Sequence, residues 1–379
     1  MTTTGRRWMT AFGLTLMTAA CGSSDAPGTY STVESPAPIK RRPTPVTGFT
    51  PLKLEETVDH FVAELNEHPN ESMHAEILLK IISGFFAPVA TAANRAMGEL
   101  RMTGNVVGSL EEPGDQQQAV ELQNDQLEQT VAEGAEAIGV APFGEGNASG
   151  IDAAVKHGIN VVTLDADVPE SKRAIYVGTL NAAAGTTAGN TLLPMLADVP
   201  GTVIILGNAN PVWATGLERT NGARDVFKKA GYETLVVQET LTEMGDEEDV
   251  ATMKAQIEAA DPPVVGMIGM FNEAYRCAMA AEVAGREDIP IVAFDFDPKT
   301  VSYMRKGLIK ATHTQRQYYE GYLVPYILYG IKHIGLDATK KILAPLMVDE
   351  FRVNTGLDVV MATDIDAYND HLDALGVNQ

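Results

Sequence analysis

One pattern occurs twice in this 379-residue chain, and it limits the possible folds more than any other feature. An apolar strand, a loop, a helix and a second apolar strand ending in Asp-x-Asp run over residues 137–167 and again over residues 264–297. Asp165 and Asp295, at the two strand ends, lie 130 residues apart. Nearly continuous apolar strands that alternate with helices are typical of parallel sheets covered on both faces. The repeat therefore predicts two α/β lobes.

Further strand and helix patterns extend both halves. The strands EILLKII (76–82) and TVIILG (202–207) each precede a helical stretch. At about 150 residues per domain, the chain is long enough for two domains that each bury a core. Ligands of open parallel sheets bind outside the carboxyl ends of the strands. We therefore predict an α/β fold of two Rossmann-like lobes with parallel sheets, with Asp165 and Asp295 facing a cleft between them.

The charge of the chain excludes some partners. It contains 28 basic and 50 acidic residues, for a net charge of -22. Nucleic-acid binding requires a basic surface that neutralises phosphates, so the acidic composition argues against it. The same negative charge disfavours adhesion to anionic lipid. Residues 1–50 nevertheless hold five basic and two acidic side chains, so a basic leader precedes an acidic body.

The leader has the form of an export signal. Arg6 and Arg7 precede 13 uncharged residues (8–20), too few for a membrane-spanning helix but typical of a signal peptide. The small residues that follow run into Cys21, which resembles a bacterial lipoprotein signal. That resemblance implies cleavage before Cys21 and lipidation of its thiol. An ordinary secretory signal is the alternative, and both place the protein in the periplasm or cell envelope. Since Gly22 is not Asp, the resemblance implies the outer membrane if the cell is Gram-negative.

Two segments separate the leader from the lobes. Residues 21–50 are rich in Ser, Thr, Pro and Gly, which predicts a flexible tether. Residues 51–73 contain apolar residues at helical spacing and predict an accessory helix packed on the body. The apolar positions of this helix are Leu54, Val58, Phe61, Val62 and Leu65.

Enzyme functions fit the sequence poorly. The glycine-rich stretch at 144–150 has the spacing G-x-G-x-x-x-G and follows Phe143, so it does not reproduce a dinucleotide-binding turn. The two Asp-x-Asp sequences resemble haloacid-dehalogenase-like phosphatases, but Pro169 and Lys299 stand where that family prefers Thr. The seven histidines show no metal-ligand spacing, and Cys277 lies among helical alanines as a core thiol. We predict a protein that is not an enzyme and needs no cofactor or metal.

Eight stretches together resemble the type I periplasmic substrate-binding proteins of the ribose and galactose class, the receptors of sugar ABC importers. They occur in family order over about 300 residues: LLKIISGFF (78–86), GINVVTLDAD (158–167), YVGTLNAAAG (176–185), ERTNGARDVF (218–227), GMFNEAYRCAMAAEVAG (269–285), VAFDFDP (292–298), GLIKATHTQRQYYEGY (307–322) and NTGLDVV (354–360).

The resemblance implies three chain crossings between the lobes, near residues 180–184, near Gln315 and near residues 344–348. Lobe 1 would then contain residues 74–181 and 316–345. Lobe 2 would contain residues 182–314 and 346–379.

The resemblance also implies a ligand site. Phe86 or its neighbour Phe85 would stack on a sugar ring, because an aromatic face suits the C–H-rich face of a pyranose. Asp165 would accept hydrogen bonds from two hydroxyls, and Arg219 would donate a fork of N–H groups. Lobe 2 and the hinge would add Asn272, Asp295 and Gln315. Five further residues are either ligand contacts or part of the scaffold: Lys80, Ser83, Asp167, Trp213 and Met244.

The resemblance implies a monomeric receptor that captures a small neutral sugar, a pentose, hexose or related polyol, and delivers it to an ABC permease. The lobes would close over the ligand, since only the closed form completes its hydrogen bonds. The alternative is a sensor lipoprotein that presents a signalling furanose or nucleoside to a membrane receptor. A phosphatase or NAD enzyme ranks below both.

Overall fold

The computed structural model describes residues 37–69, 71–109, 115–197, 200–211, 213–240 and 245–377. The predicted signal peptide, the lipidation site Cys21, the first part of the tether and Met244 lie outside these residues.

A first six-stranded sheet forms lobe 1, and all of its neighbouring strands are parallel. Its order is β11-β5-β4-β3-β1-β2. The strands are β1 (Ala75–Ile81), β2 (Val106–Ser109), β3 (Ala137–Val140), β4 (Asn160–Leu164), β5 (Ile175–Gly178) and β11 (Arg352–Asn354). The helices that follow or cover them are α2 (Ala87–Glu99), α3 (Gln116–Ala132), α4 (Ala148–Lys156), α10 (Gln317–Ile334) and α11 (Leu336–Leu343).

A second six-stranded sheet forms lobe 2 with the order β12-β10-β9-β8-β6-β7, and its edge strand β12 is antiparallel to β10. The strands are β6 (Thr202–Gly207), β7 (Glu233–Gln238), β8 (Val264–Gly269), β9 (Ile291–Phe294), β10 (Ile309–Gln315) and β12 (Leu357–Met361). The helices are α5 (Asn181–Leu192), α6 (Ala214–Lys229), α7 (Asp246–Ala259), α8 (Tyr275–Ala284), α9 (Pro298–Arg305) and α12 (Ile365–Leu375). The predicted α/β fold of two lobes with mostly parallel sheets is confirmed.

The central strands are apolar because both of their faces are buried. Every residue of β3, of β6 and of β9 is buried, as expected for strands covered by helices on both sides. Lobe 1 packs largely around α10, in which the residues from Tyr318 to Ile331 are all buried. None of the described helices combines the length and the apolar character that a membrane crossing requires.

The chain passes between the lobes at three places, and the third differs from the prediction. The first crossing joins β5 to α5 at residues 179–180, and the second joins β10 to α10 at Arg316. We predicted the third near residues 344–348, but β11 (352–354) still pairs with β5 of lobe 1. The crossing instead uses Thr355 and Gly356, where a φ of 82° favours glycine. The sequence prediction placed β11 in the wrong lobe.

The segment before the accessory helix is packed, which corrects the predicted extent of the tether. The predicted helix is confirmed as α1 (Leu52–Leu65), and its apolar face lies on α10 and α11. Upstream of it, the Ile39 side chain is buried, and the Arg41 guanidinium forms ion pairs with Glu55 and Asp59. Residues 37–50 are therefore part of the folded body, because charged and apolar side chains within the Pro-rich stretch contact α1 and α10.

Candidate ligand-binding site

A cleft of about 580 Å³ lies between the lobes, at the carboxyl ends of strands from both sheets. Nine of the eleven residues predicted to contact ligand line it: Lys80, Phe85, Phe86, Asp165, Trp213, Arg219, Asn272, Asp295 and Gln315. Their positions keep them candidates for ligand contact.

The two repeated aspartates have matching backbone geometry. Asp165 follows β4 with a φ of 61°, and Asp295 follows β9 with a φ of 59°. The left-handed region is uncommon for residues other than glycine, but aspartate tolerates it better than most. A hydroxyl from the next strand supports each turn: Tyr176 donates to the Asp165 carbonyl over 3.0 Å, and Thr312 to the Asp295 carbonyl over 2.5 Å.

On the lobe 1 side, the polar part of the cleft is an ion pair. The Lys80 Nζ donates to Asp165 Oδ2 over 2.7 Å, and both side chains are mostly buried. The same ammonium lies 5.7 Å from the centre of the Phe86 ring. The carboxylate therefore retains acceptor capacity for ligand hydroxyls, while the lysine offers further donors.

On the lobe 2 side, three side chains form a hydrogen-bonded chain. The Arg219 Nη2 donates to Gln315 Oε1 over 2.8 Å, and the Gln315 amide donates to Asp295 Oδ1 over 3.2 Å. Arg219 also donates to Asn181 Oδ1 over 2.9 Å and to the Met270 carbonyl over 3.1 Å. These hydrogen bonds hold the Arg219 side chain in one orientation.

Burial shifts the pKa values of Asp295 and Arg219. It raises the pKa of Asp295 to about 6, although the nearby Arg219 charge opposes the shift. Burial also lowers the pKa of Arg219, whose guanidinium lies 4.7 Å from the Phe294 ring centre and 5.1 Å from that of Phe271. The two aromatic faces stabilise a cation that has been removed from water.

Aromatic side chains supply the apolar walls. Phe85 and Phe86 meet edge to face with their ring centres 5.1 Å apart. Across the cleft, the rings of Trp213 and Phe271 lie 4.5 Å apart. Phe85 is only partly buried whereas Phe86 is buried, so Phe85 presents more surface to a ligand. The cleft thus combines apolar faces with a few oriented polar groups, which is typical of small-molecule sites.

Two predicted residues do not line the cleft. Asp167 forms a two-point ion pair with Arg173, with both N···O distances 2.6 Å, and also accepts from the Thr163 hydroxyl. Its carboxylate is therefore used by the scaffold of lobe 1. Ser83 is exposed beside the cleft-lining residues Gly84 and Phe85 but is not part of the wall. The structure does not place either residue with the other candidates.

Several lining residues escaped the sequence analysis, among them Phe143, Asn181, Thr240, Phe271 and Glu273. Phe143 follows β3, Thr240 follows β7, and Phe271 follows β8. The rule that ligands bind at the carboxyl ends of parallel strands could have found these three. Asn181 lies at a crossing, which only the folded chain reveals.

A buried carboxyl that no sequence pattern predicted lies where the crossings meet. Glu320 at the start of α10 is fully buried, and Glu320 Oε1 is 3.4 Å from the Thr179 hydroxyl and 3.5 Å from that of Thr355. Thr179 belongs to the first crossing and Thr355 to the third. Burial, reinforced by the charge of Asp165, raises the pKa of Glu320 to about 8. The neutral form therefore predominates at neutral pH.

The comparisons with known proteins agree with this architecture. Residues 77–333, more than half of the chain, match the family described as periplasmic binding protein domain. The chain belongs to the periplasmic binding protein family. This membership confirms the resemblance found in the sequence and identifies a binding protein, not an enzyme. No cluster of metal-ligating side chains occurs in the described part of the chain. No curated protein matches the chain significantly.

Several solved structures have a similar fold, and the similarity extends over nearly the full length of each. GanP, a glucose-galactose binding protein from Geobacillus stearothermophilus, is 25% identical, with a TM-score of 0.62 over 78% of this chain and 99% of its own. A sugar-binding protein of a sugar ABC transporter from Bacillus halodurans is 22% identical, with a TM-score of 0.64 over 79% and 100%. A periplasmic ribose ABC transporter protein from Conexibacter woesei is 17% identical, with a TM-score of 0.66 over 79% and 95%.

Proposed function

We propose that this periplasmic binding protein captures a small neutral sugar or polyol in the cleft and delivers it to an ABC permease. The observation that carries the proposal is the divided polar set: Lys80 and Asp165 pair on lobe 1, while Arg219, Gln315 and Asp295 are linked on lobe 2. Both halves offer donors and acceptors beside aromatic rings, which suits vicinal hydroxyls on a ring with an apolar face.

The division of the polar set provides a mechanism for closure. A hydroxyl-rich ligand can accept from Lys80 or Arg219 and donate to Asp165 or Asp295, and so bridge the lobes. Its affinity for the closed form then exceeds that for the open form, and this difference drives the hinge. An importer that recognises the closed form receives only loaded protein.

The relatives support the same ligand class. GanP is a glucose-galactose binding protein, the Bacillus halodurans protein is a sugar-binding protein, and the family is named for the periplasm. An extracytoplasmic location also fits the basic, apolar leader. The lipid anchor at Cys21 and the monomeric state are part of the proposal.

The test is isothermal titration calorimetry of the full chain with pentoses, hexoses and inositols, with a thermal shift as the screen. A ligand at 100 times its Kd adds about 2.7 kcal/mol to the free energy of unfolding. We expect at least one neutral sugar to bind with a defined stoichiometry. The absence of binding by every sugar and polyol would remove the carbohydrate proposal, and binding of a charged ligand alone would redirect it.

The anchor has a separate test. Expression of the full chain with metabolic labelling by a fatty acid is expected to label the wild type and not Cys21→Ala. The variant is expected in the soluble envelope fraction. Equal labelling of both forms would contradict lipidation at Cys21 and leave the sugar proposal untouched.

A further inference from the structure

A second, smaller cavity adjoins the cleft, and we refer to it as the side cavity. It holds about 230 Å³ and shares three lining residues with the cleft, Gly84, Phe85 and Asn272. The rest of its wall comes from α2, from the starts of α9 and α10, and from α12 with the residues that follow it. The two cavities are therefore neighbours, and a group attached to a ligand in the cleft would enter the side cavity beside Phe85 and Asn272.

The size of the side cavity indicates that it accommodates only part of a ligand. Complete small-molecule sites have volumes of roughly 300–1,000 Å³. The cleft falls within that range by itself, whereas the side cavity, at about 230 Å³, falls below it. An attached group of a ligand held in the cleft is therefore a better occupant than a separate molecule.

The polar lining of the side cavity consists of three amides and one carboxylate. The side chains of Asn272, Gln317 and Asn369 face it, and none of them hydrogen-bonds another residue in the described ranges. All three are partly buried, and each amide offers two donors and an acceptor oxygen. The carboxylate of Asp297, also in the lining, accepts from the backbone N–H of Lys299 at the start of α9. These groups suit a hydroxyl-bearing partner, because a hydroxyl can donate to the carboxylate and can both donate to and accept from the amides.

Apolar side chains complete the lining, and five of them are aliphatic: Pro88, Pro298, Val301, Leu372 and Val377. Phe85 lies on the shared wall, and the rings of Phe296 and Tyr368 meet with their centres 4.8 Å apart. The Tyr368 hydroxyl is bonded to the Thr314 hydroxyl over 2.7 Å and the residue is buried, so Tyr368 borders the cavity with only part of its ring. Amides beside aromatic faces match the hydroxyls and C–H faces of a second pyranose or furanose ring.

We propose that the side cavity binds the second ring of a disaccharide whose first ring occupies the cleft. This inference rests on the proposed sugar-binding function and names its substrate class as disaccharides. An apolar aglycone would remove the three amides from water without offering them partners, which disfavours it because a polar group taken out of water requires a hydrogen bond.

The experiment compares Kd values by calorimetry for matched sugars on the full chain. The pairs are maltose and cellobiose against glucose, lactose and melibiose against galactose, and xylobiose against xylose, with phenyl glycosides of the same sugars. We expect one disaccharide to bind at least tenfold more tightly than its monosaccharide. A monosaccharide that binds as tightly as every disaccharide would overturn the inference, as would a preference for phenyl glycosides. If no sugar binds, the proposed function itself fails.

Two variants localise the effect. Gln317→Ala and Asn369→Ala are each expected to weaken disaccharide binding about threefold to tenfold, the range for one neutral hydrogen bond, with little change for the monosaccharide. Asp370→Ala is the matched control, because Asp370 is exposed beside Asn369 and does not line the side cavity. Asn369→Trp should fill the cavity and abolish the disaccharide preference. If the folded Ala variants weaken both ligands equally, or neither, the second ring does not bind here.

Discussion

At the scale of the residue, the two carboxylates of one Asp-x-Asp sequence have different roles. Asp165 and Asp167 are two positions apart, yet Asp165 faces the cleft and pairs with Lys80, while Asp167 pairs with Arg173 inside lobe 1. Arg219 was expected to donate to the ligand. Two of its three hydrogen bonds go to Asn181 and Gln315, so it also holds the hinge region together.

The two aspartates provide a matched pair for a prediction. Asp165→Ala is expected to weaken sugar binding by about 1.5–3 kcal/mol, the scale of a hydrogen bond to a charged group. Asp167→Ala is expected to leave the Kd unchanged and to lower the free energy of unfolding by about 3 kcal/mol, because Arg173 loses its buried partner. Calorimetry and urea unfolding measure the two effects. A loss of affinity in Asp167→Ala with unchanged stability would reverse the assignment.

Glu320 predicts a pH dependence of stability. Its pKa is raised to about 8 in the folded protein, so the folded state holds a proton that the unfolded chain releases near pH 4.5. Stability from this group is therefore fully present below pH 4.5 and is lost as the pH rises towards 8, with a slope of at most about 1.4 kcal/mol per pH unit. Glu320→Gln keeps an acceptor for Thr179 and Thr355.

Urea unfolding at pH 5, 6, 7 and 8 is expected to show a shallower decline for Glu320→Gln than for the wild type. Equal slopes in the two proteins would mean that Glu320 titrates normally, and the buried hinge carboxyl would have no influence on stability over this range.

At the scale of the element, close helix packing positions the cleft residues. A Cβ at Gly185 in α5 would lie 1.9 Å from the Arg219 carbonyl oxygen in α6. Only glycine allows this approach, which brings Arg219 beside Asn181 at the first crossing. On the opposite side of the molecule, α1 covers α10 with an apolar face that includes Phe61.

Helix α1 is predicted to stabilise lobe 1 without affecting the ligand. Phe61→Ala is expected to lower the free energy of unfolding by about 3–5 kcal/mol, because the fully buried ring leaves a cavity beneath α1. His60→Ala, at the exposed neighbouring position, is expected to change it by less than about 0.5 kcal/mol. Chemical denaturation measures both variants, and an unchanged Kd for sugar is expected in each. A small effect of Phe61→Ala would show that α1 is dispensable.

At the scale of the whole molecule, three short crossings join two lobes that carry separate halves of the polar set. Arg316 at the second crossing donates to the Thr355 carbonyl and to Asp358, so the second and third crossings are tied together. The segment of residues 37–50 also contacts both α10 and α12: Arg41 donates to Tyr322 over 3.3 Å, and Thr47 is 2.8 Å from His371. Motion between the lobes is therefore confined to few backbone positions.

Closure has a direct measurement. Small-angle X-ray scattering is expected to show a smaller radius of gyration when the best sugar from the calorimetric screen is added at saturation. Asp165→Ala at the same sugar concentration, below its weakened Kd, is expected to keep the larger value. An unchanged radius in the saturated wild type would mean that binding does not close the lobes.

The sequence by itself determined the α/β class and the two lobes, because strand periodicity is a local property. The amphipathic face of α1 could be read for the same reason. The family and most of the candidate cleft residues came from the resemblance of eight stretches to known proteins. Local patterns could not separate Asp165 from Asp167, since the difference depends on Arg173 reaching one carboxylate and not the other. Nor could they reveal that β11 pairs with β5, that Glu320 meets Thr179 and Thr355, or that residues from α9, α10 and α12 enclose the side cavity. These features join residues far apart in the chain, so only tertiary packing decides them.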